Sequence, residues 1–324
     1  MAELALDALD EPGPRVLVAG EADDALPDGL AARGARVARW HRVAAAGRAA
    51  SAWPPEGEVD QAVLRMPRVR ASLDMALHGV AARLAPGGAL WVVGTNDEGV
   101  RSVGRRLEPL FEDVVTVDAR RHGRVLRGRR RPAPEVRGRL ADWRTEGTIR
   151  LPGGERPWVT YPGLFARGEL DPATALLVEA LPALPDGARV LDFGCGAGTI
   201  GAALAVRGDR VDLDQLDADA LAVEAARENL PGARTWLGAG LDDLTSAGPW
   251  DVVVTNPPIH ESVLRSYRVL ERLVADVGDR LAPAGEVWLV IQRQVPLADM
   301  LERASLQGEA IAQRGAFSVW RARR

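Results

Sequence analysis

Lysine is absent from this 324-residue chain: all 41 basic residues are arginine, against 45 acidic ones, for a net charge of −4. A composition so rich in Arg, Ala and Gly drains meaning from any single Arg and makes the distribution of Arg the informative quantity. Cysteine is nearly absent as well. The single Cys195 excludes an intramolecular disulfide and suits a reducing compartment, so a cytoplasmic protein is expected. No apolar run approaches the roughly 18 residues of a membrane span, and MAELALDALDEPGP lacks the basic start and apolar core of a secretory leader. Aromatic residues make up only 5%, yet 47% hydrophobic and 27% charged is an ordinary globular balance. His41, His78 and His122 stand isolated, without metal-ligand spacing. Disordered, collagen-like and disulfide-stapled classes are excluded, and neither a membrane nor a metal is expected as a partner.

What the chain does contain is concentrated. Residues 120–150 hold eleven Arg against Glu135, Asp142 and Glu146, a local net charge of +8 that leaves the remainder at −12. A polyanion would meet this protein through that segment. The chain also repeats itself. GPRVLVAG (Gly13–Gly20) returns as GARVLDFG (Gly187–Gly194), VDQAVLRMP (Val59–Pro67) as WDVVVTNPP (Trp250–Pro258), and RLAPGGALWVV (Arg83–Val93) as RLAPAGEVWLV (Arg280–Val290). Three blocks in the same order imply a duplicated domain, residues 1–140 and 160–324. Between them, 141–159 is rich in Pro, Gly and charge and reads as a linker.

In the second half, strand-like runs (ARVLDF, VDLDQL, PWDVVVT, EVWLVI) alternate with helical spacings (ATALLVEAL, ADALAVEAARENL, SVLRSYRVLERLVADVGDRL). Asp171 before Pro172 marks a helix start. The alternation implies an α/β class, two tandem Rossmann-like domains, each a mostly parallel sheet with helices on both faces. GEAIAQRG and AFSVWRA read as a terminal hairpin.

LDFGCGAGTIG (Leu191–Gly201) joins a strand to a helix. Gly194, Gly196 and Gly198 let a ligand approach the backbone, with Cys195 inside the loop, and the helix start favours a carboxylate. Asp192, two residues before the loop, suits an ammonium group. S-adenosylmethionine carries both at its amino-acid end. Asp217, nineteen residues after Gly198, ends the next strand where ribose hydroxyls can be met, with Ala218 beside it. Asp212 and Asp214 lie inside that strand and fit less well. After the fourth strand comes TNPPIH. Pro257 and Pro258 make a rigid turn without amide donors, so backbone carbonyls and Asn256 can accept hydrogens from a planar amine. Such acceptors favour the geometry in which the amine lone pair is released toward a methyl donor.

These residues resemble a family. YPGLFARGELD, LDFGCGAG, NPPIH and AQRGAFSVWRA, with GTNDEGVRSV and VDARRHGRV in the first half, are similar to the two-domain bacterial ribosomal RNA guanine-N2 methyltransferases, the small-subunit methyltransferase C and large-subunit methyltransferase G group. The resemblance implies a class I methyltransferase fold, a degenerate first domain that supports folding and binds RNA, and a catalytic second domain. The implied acceptor is a guanine N2 amine in ribosomal RNA, most simply that of the small subunit (16S), and a monomer is expected. Two departures stand out. Ile259 occupies a position where the family commonly has Phe to stack on the base, which shifts weight to His260. Gly240 and Leu241 lie where an acidic or amide residue often meets the adenine, with Asp242 or Asp243 as substitutes. Arg293, after a strand at the cleft edge, is a candidate phosphate contact. Methylation of another planar amine, an adenine N6 or a protein glutamine, and a non-catalytic RNA-binding assembly factor are the alternatives.

Overall fold

Two open sheets carry the chain, each grown outward from its own first strand. The computed structural model describes every residue except 10, 22, 46, 68, 121, 165–168 and 258–262 and, of 263–266, the backbone alone. The first sheet contains β1 (Arg15–Ala19), β2 (Arg36–Trp40), β3 (Val59–Arg65), β4 (Leu84–Thr95), β5 (Phe111–Arg120) and β6 (Gly123–Arg130) in the order β2-β1-β3-β4-β6-β5. Its first four strands are parallel and the closing β5–β6 hairpin is antiparallel. Alternate residues of each strand face opposite sides. Val16, Val18 and Trp91 therefore pack under α1 (Ala2–Ala8) and α2 (Ala25–Ala32). Leu17, Leu64 and Val92 pack under α3 (Ala71–Ala81) and α4 (Gly104–Leu107).

Next comes an antiparallel hairpin, β7 (Thr145–Leu151) and β8 (Gly154–Thr160), where the composition suggested a linker. It is anchored rather than free. Trp158 is buried, and Asn229 clasps Val159 by accepting from its N–H at 2.7 Å and donating to its carbonyl at 2.9 Å.

The second sheet contains β9 (Arg189–Phe193), β10 (Asp212–Asp217), β11 (Arg234–Leu237), β12 (Trp250–Thr255), β13 (Leu281–Gln292), β14 (Gln307–Arg314) and β15 (Phe317–Arg323), ordered β11-β10-β9-β12-β13-β15-β14. Helices α5 (Pro172–Ala180) and α6 (Thr199–Arg207) share a core with one face, α8 (Val263–Val277) and α9 (Leu297–Arg303) with the other, and α7 (Ala220–Asn229) joins β10 to β11. The two sheets have one topology, except that among the described residues the first shows no counterpart of α7 and β11. The chain divides into two units, Met1–Arg42 with Ala49–Arg144, and Val43–Arg48 with Thr145–Arg324. Val43–Arg48 comes from the connection that stands in place of α7 and β11, and it joins the second unit.

The copies share even an irregularity. From Val59 to Gln61, β3 advances two residues while its partner advances from Leu84 to Ala89; from Trp250 to Val252, β12 does the same against Leu281 to Glu286. The chain crowds itself at this bulge. A Cβ on Gly88 would lie 2.8 Å from the Asp60 oxygen, and one on Gly285 would lie 2.8 Å from the Trp250 oxygen. The residue before is left-handed in both copies, Gly87 at φ +74° but Ala284 at φ +65°. A side chain in that region costs about 1 kcal/mol. Ala284→Gly should therefore raise the melting temperature by about 2–4 °C, whereas Gly285→Ala should lower it. Thermal unfolding of both variants checks this, and the reverse order would refute the reading of the bulge.

Candidate active site

All residues described here belong to the second unit. β9 ends at the middle of its sheet, and the glycine loop turns from it into α6. Gly198 (φ +91°) is required by packing, because a Cβ there would meet Gln215 Nε2 at 2.9 Å and Leu230 Cδ1 at 3.2 Å. Gly194 (φ +73°) and Gly196 (φ +57°) differ: a Cβ on either meets nothing within 4 Å. They face open space, as a ligand cradle must. The loop is pinned from behind. The N–H groups of Gly194 and Cys195 both donate to the Leu216 carbonyl, at 2.8 and 3.0 Å, and Asn229 Nδ2 donates to Ala197 at 2.9 Å. Burial pushes the Cys195 thiol well above its ordinary range, so it stays protonated and offers no nucleophile.

Asp192 is the most unusual group in the unit. It is fully buried, and among the described residues neither carboxylate oxygen has a hydrogen-bond partner. Burial pushes its pKa up to about 8; the Gly201 amide offsets part of this without hydrogen-bond geometry, and the Asp217 charge adds to it. A carboxylate left this way lacks a cationic donor, and the ammonium of an amino acid supplies one. Asp217, at the end of β10, accepts from Gly196 N–H and Asp219 N–H, each at 2.8 Å, so it shapes the loop as well as facing the cleft. Burial raises its pKa to about 6, against those backbone bonds. Asp214 is spent elsewhere: fully buried, it accepts from Arg234 at 2.8 and 3.0 Å, Trp236 at 3.1 Å and Trp250 at 2.9 Å. Asp212 is exposed at the far end of the strand.

Asn256 follows β12, whose end is tied to β9 by Thr255 Oγ1 donating to Phe193 at 2.7 Å. The Asn256 Nδ2 donates to Thr174 Oγ1 at 2.9 Å and faces both Asp171 oxygens at 3.4 and 3.5 Å. Pro257 is buried behind it, while Pro258, Ile259 and His260 lie outside the described residues. Leu241 is buried in the core, so at these two positions only backbone groups can meet a ligand, and the Gly240 carbonyl already accepts from Asp243 N–H at 3.1 Å. Asp243 accepts from Ala239 and Gly240 N–H at 2.7 and 3.2 Å, and Asp242 pairs with Arg272 at 2.6 Å, so both candidate substitutes are engaged. Arg293 is exposed at the end of β13, its N–H donating to Ala316 at 2.8 Å. Val43–Arg48 was not foreseen: Ala44 N–H donates to the Ala218 carbonyl at 2.6 Å, and Val43 bridges Asp219. Among the described residues no cluster of acidic, His or Cys side chains is placed to hold a metal, and no helix is long and apolar enough to cross a membrane.

The parallel sheet closed by a reversed hairpin, with a glycine cradle and an acidic strand end at its carboxyl edge, defines a class I methyltransferase fold. The methyltransferase small domain family matches residues 155–321, and its N-terminal domain family matches 12–146. A ribosomal RNA small subunit methyltransferase C of Stutzerimonas stutzeri is 35% identical over 96% of this chain and 95% of its own length. That of Pseudomonas aeruginosa is 35% identical over 83% and 81%. A solved structure, the T. thermophilus 16S rRNA N2 G1207 methyltransferase in complex with AdoMet and guanosine, shares the fold at a TM-score of 0.82 and 24% identity, covering 100% of this chain and 91% of that one. The chain belongs to the ribosomal RNA small subunit methyltransferase C family.

Asp192 makes stability depend on pH in a defined direction. A carboxyl raised in the folded state contributes stability that is fully present below its ordinary value of 3.8 and is lost as pH rises through about 8. Asp217 adds the same sign up to about 6. Between pH 5 and 8 the melting temperature of the free protein should fall more steeply than that of Asp192→Asn. Parallel curves would show that the Asp192 carboxyl is not raised.

Proposed function

We propose that this chain transfers a methyl group from S-adenosylmethionine to the exocyclic N2 amine of a guanine in the 16S RNA of the small ribosomal subunit. One observation carries the reading: a buried carboxylate that has no partner among the described residues, beside an open glycine loop, stands at the same sheet edge as an Asn amide that those residues engage through its nitrogen. The names of the curated relatives supply the small subunit, and the T. thermophilus enzyme was solved with both ligands that the reading needs.

Asp192 takes the donor's ammonium, and the backbone at Gly194, Cys195, Gly196 and Gly198 lies along its amino-acid end. Asp217 and Ala218 meet the ribose; the Gly240 and Leu241 backbone meets the adenine. Bound there, the donor supplies an electrophilic methyl on a sulfonium. Asn256 Oδ1 and a backbone carbonyl of the Asn256–Pro258 turn accept the two amine hydrogens of the guanine and hold its lone pair out of conjugation. No general base is needed before transfer, because the amine proton is acidic afterwards and leaves to water. Ile259 and His260 contact the base, and Arg293 contacts a phosphate.

The first half holds the RNA through its Arg-rich segment, and the second, 160–324 in its catalytic core, does the chemistry. The first copy does not keep the carboxylate and the open glycine: Val18 is packed in its core, and a Cβ on Gly20 would lie 3.0 Å from the Arg65 oxygen. Where Asn256 stands in the second copy, it has Arg65, locked to Glu98 by two bonds of 2.6 Å. The protein acts as a monomer in the cytoplasm, on the small-subunit rather than the large-subunit RNA.

Labelled donor with separated ribosomal subunits should give N2-methylguanosine in 16S RNA; label confined to the large subunit, or to protein, would reject the assignment. Asn256→Ala should lower turnover about 100- to 1,000-fold with little change in RNA affinity, which comes mainly from phosphate contacts. A fragment starting at Thr145 lacks Val43–Arg48 and the support of the Ala218 carbonyl. By calorimetry it should still bind the donor, several-fold more weakly than the full chain, and equal affinity would exclude a role for that segment.

A further inference from the structure

We infer that Thr174 and Asp171, at the start of α5, are positioning residues that decide which end of the Asn256 amide faces the cleft. The inference rests on the catalytic reading of Asn256 given above.

An Asn side chain presents an oxygen that accepts and a nitrogen that donates, and only the oxygen end can hold an amine hydrogen. Asp171 is the cap of α5: its carboxylate accepts from Ala173 N–H at 3.0 Å and Thr174 N–H at 3.2 Å. It also accepts the hydroxyl hydrogen of Thr174. With that hydrogen committed, Thr174 Oγ1 has only lone pairs left to offer. Among the described residues, the groups that meet the Asn256 amide on this side, two carboxylate oxygens and one hydroxyl oxygen, are therefore all acceptors. The Asn256 nitrogen fits, donating at 2.9 Å to Thr174. Turning the amide over would set Oδ1 against three oxygens. The orientation is thus dictated by chemistry, and among the described residues no donor occupies Oδ1. The α5 cap and the turn after β12 lie more than 80 residues apart in sequence, yet the helix start serves as a polarity key for the amide.

The test uses the full chain at saturating donor and small subunits. Thr174→Val keeps the shape and removes the hydroxyl. It should lower kcat at least roughly tenfold, while KM for RNA and the donor Kd stay within about twofold. Thr174→Ser should restore kcat to within about threefold of the parent. Combining Thr174→Val with Asn256→Ala should cost no more than Asn256→Ala alone, since a key has no function without its lock. A second pair avoids dependence on packing at position 174. Asn256→Asp sets a carboxylate against Asp171 and should lose turnover; adding Asp171→Asn, itself a good cap, should recover part of it. Parental kcat in Thr174→Val together with impaired Asn256→Ala would overturn the positioning role alone. So would additive losses in the double variant, or no recovery in the swapped pair. Parental kcat in Asn256→Ala would instead overturn the catalytic reading of Asn256, and this inference with it.

Discussion

A carboxylate without a partner, buried at the centre of a sheet, is the constraint around which the second unit is arranged. Asp192 is fully enclosed, and among the described residues neither oxygen has a hydrogen-bond partner. Its neighbours across the sheet are Gln215 on β10 and Val254 on β12, so the strands that continue past it lead to Asp217, the last residue of β10, on one side and to Asn256, just after β12, on the other. A central position thus does two things. It desolvates the carboxylate until an ammonium becomes its natural partner, and it brings Asp217 and Asn256, the other two residues proposed for the site, to the same edge. The surrounding framework is correspondingly over-determined: Leu216, Asn229 and Asp217 all hold the loop backbone, so that the open space at Gly194 and Gly196 does not collapse.

The first copy shows what the same scaffold becomes when that demand is lifted. Val18 stands where Asp192 stands, packed against Val16, Val63 and Trp91, and the charge is replaced by ordinary apolar burial. Gly20 keeps the left-handed turn of Gly194, but a Cβ there would lie 3.0 Å from the Arg65 oxygen rather than in open space. The Arg65–Glu98 pair stands where the second copy has Asn256. Strand order, bulge and reversed hairpin persist, while the buried carboxylate and the open space at the loop glycine are gone.

Much of this was legible in the sequence, for local reasons. Strand and helix periods, glycine spacing, the acidic strand ends and the Asp171–Pro172 start are patterns a few residues long, and repetition of three blocks exposed the duplication. The rest depends on contacts between distant residues. No spacing rule connects Thr174 with Asn256, or Asn229 with the loop and the β8 strand, and the β7–β8 hairpin looked like a linker because its tips carry the Pro, Gly and charge. The attachment of Val43–Arg48 to Ala218 and Asp219 had no local signature at all. Asp214 is the weaker ribose candidate in the sequence because it lies inside the strand, and its burial against two Trp and an Arg, which no spacing reveals, commits it elsewhere.

With its pKa pushed up to about 8 by burial, Asp192 is held protonated near neutral pH until a cationic group arrives. Donor binding at pH 7 should then expel a proton from the site, because the carboxyl near pH 8 in the free protein ionises against the ammonium. Calorimetric titration of the full chain with S-adenosylmethionine, in two buffers of different ionisation enthalpy, measures this directly. The account predicts release of up to about one proton per donor bound, and loss of that release together with most of the affinity in Asp192→Asn. A binding enthalpy independent of buffer in the parent, with undiminished affinity in the variant, would contradict it.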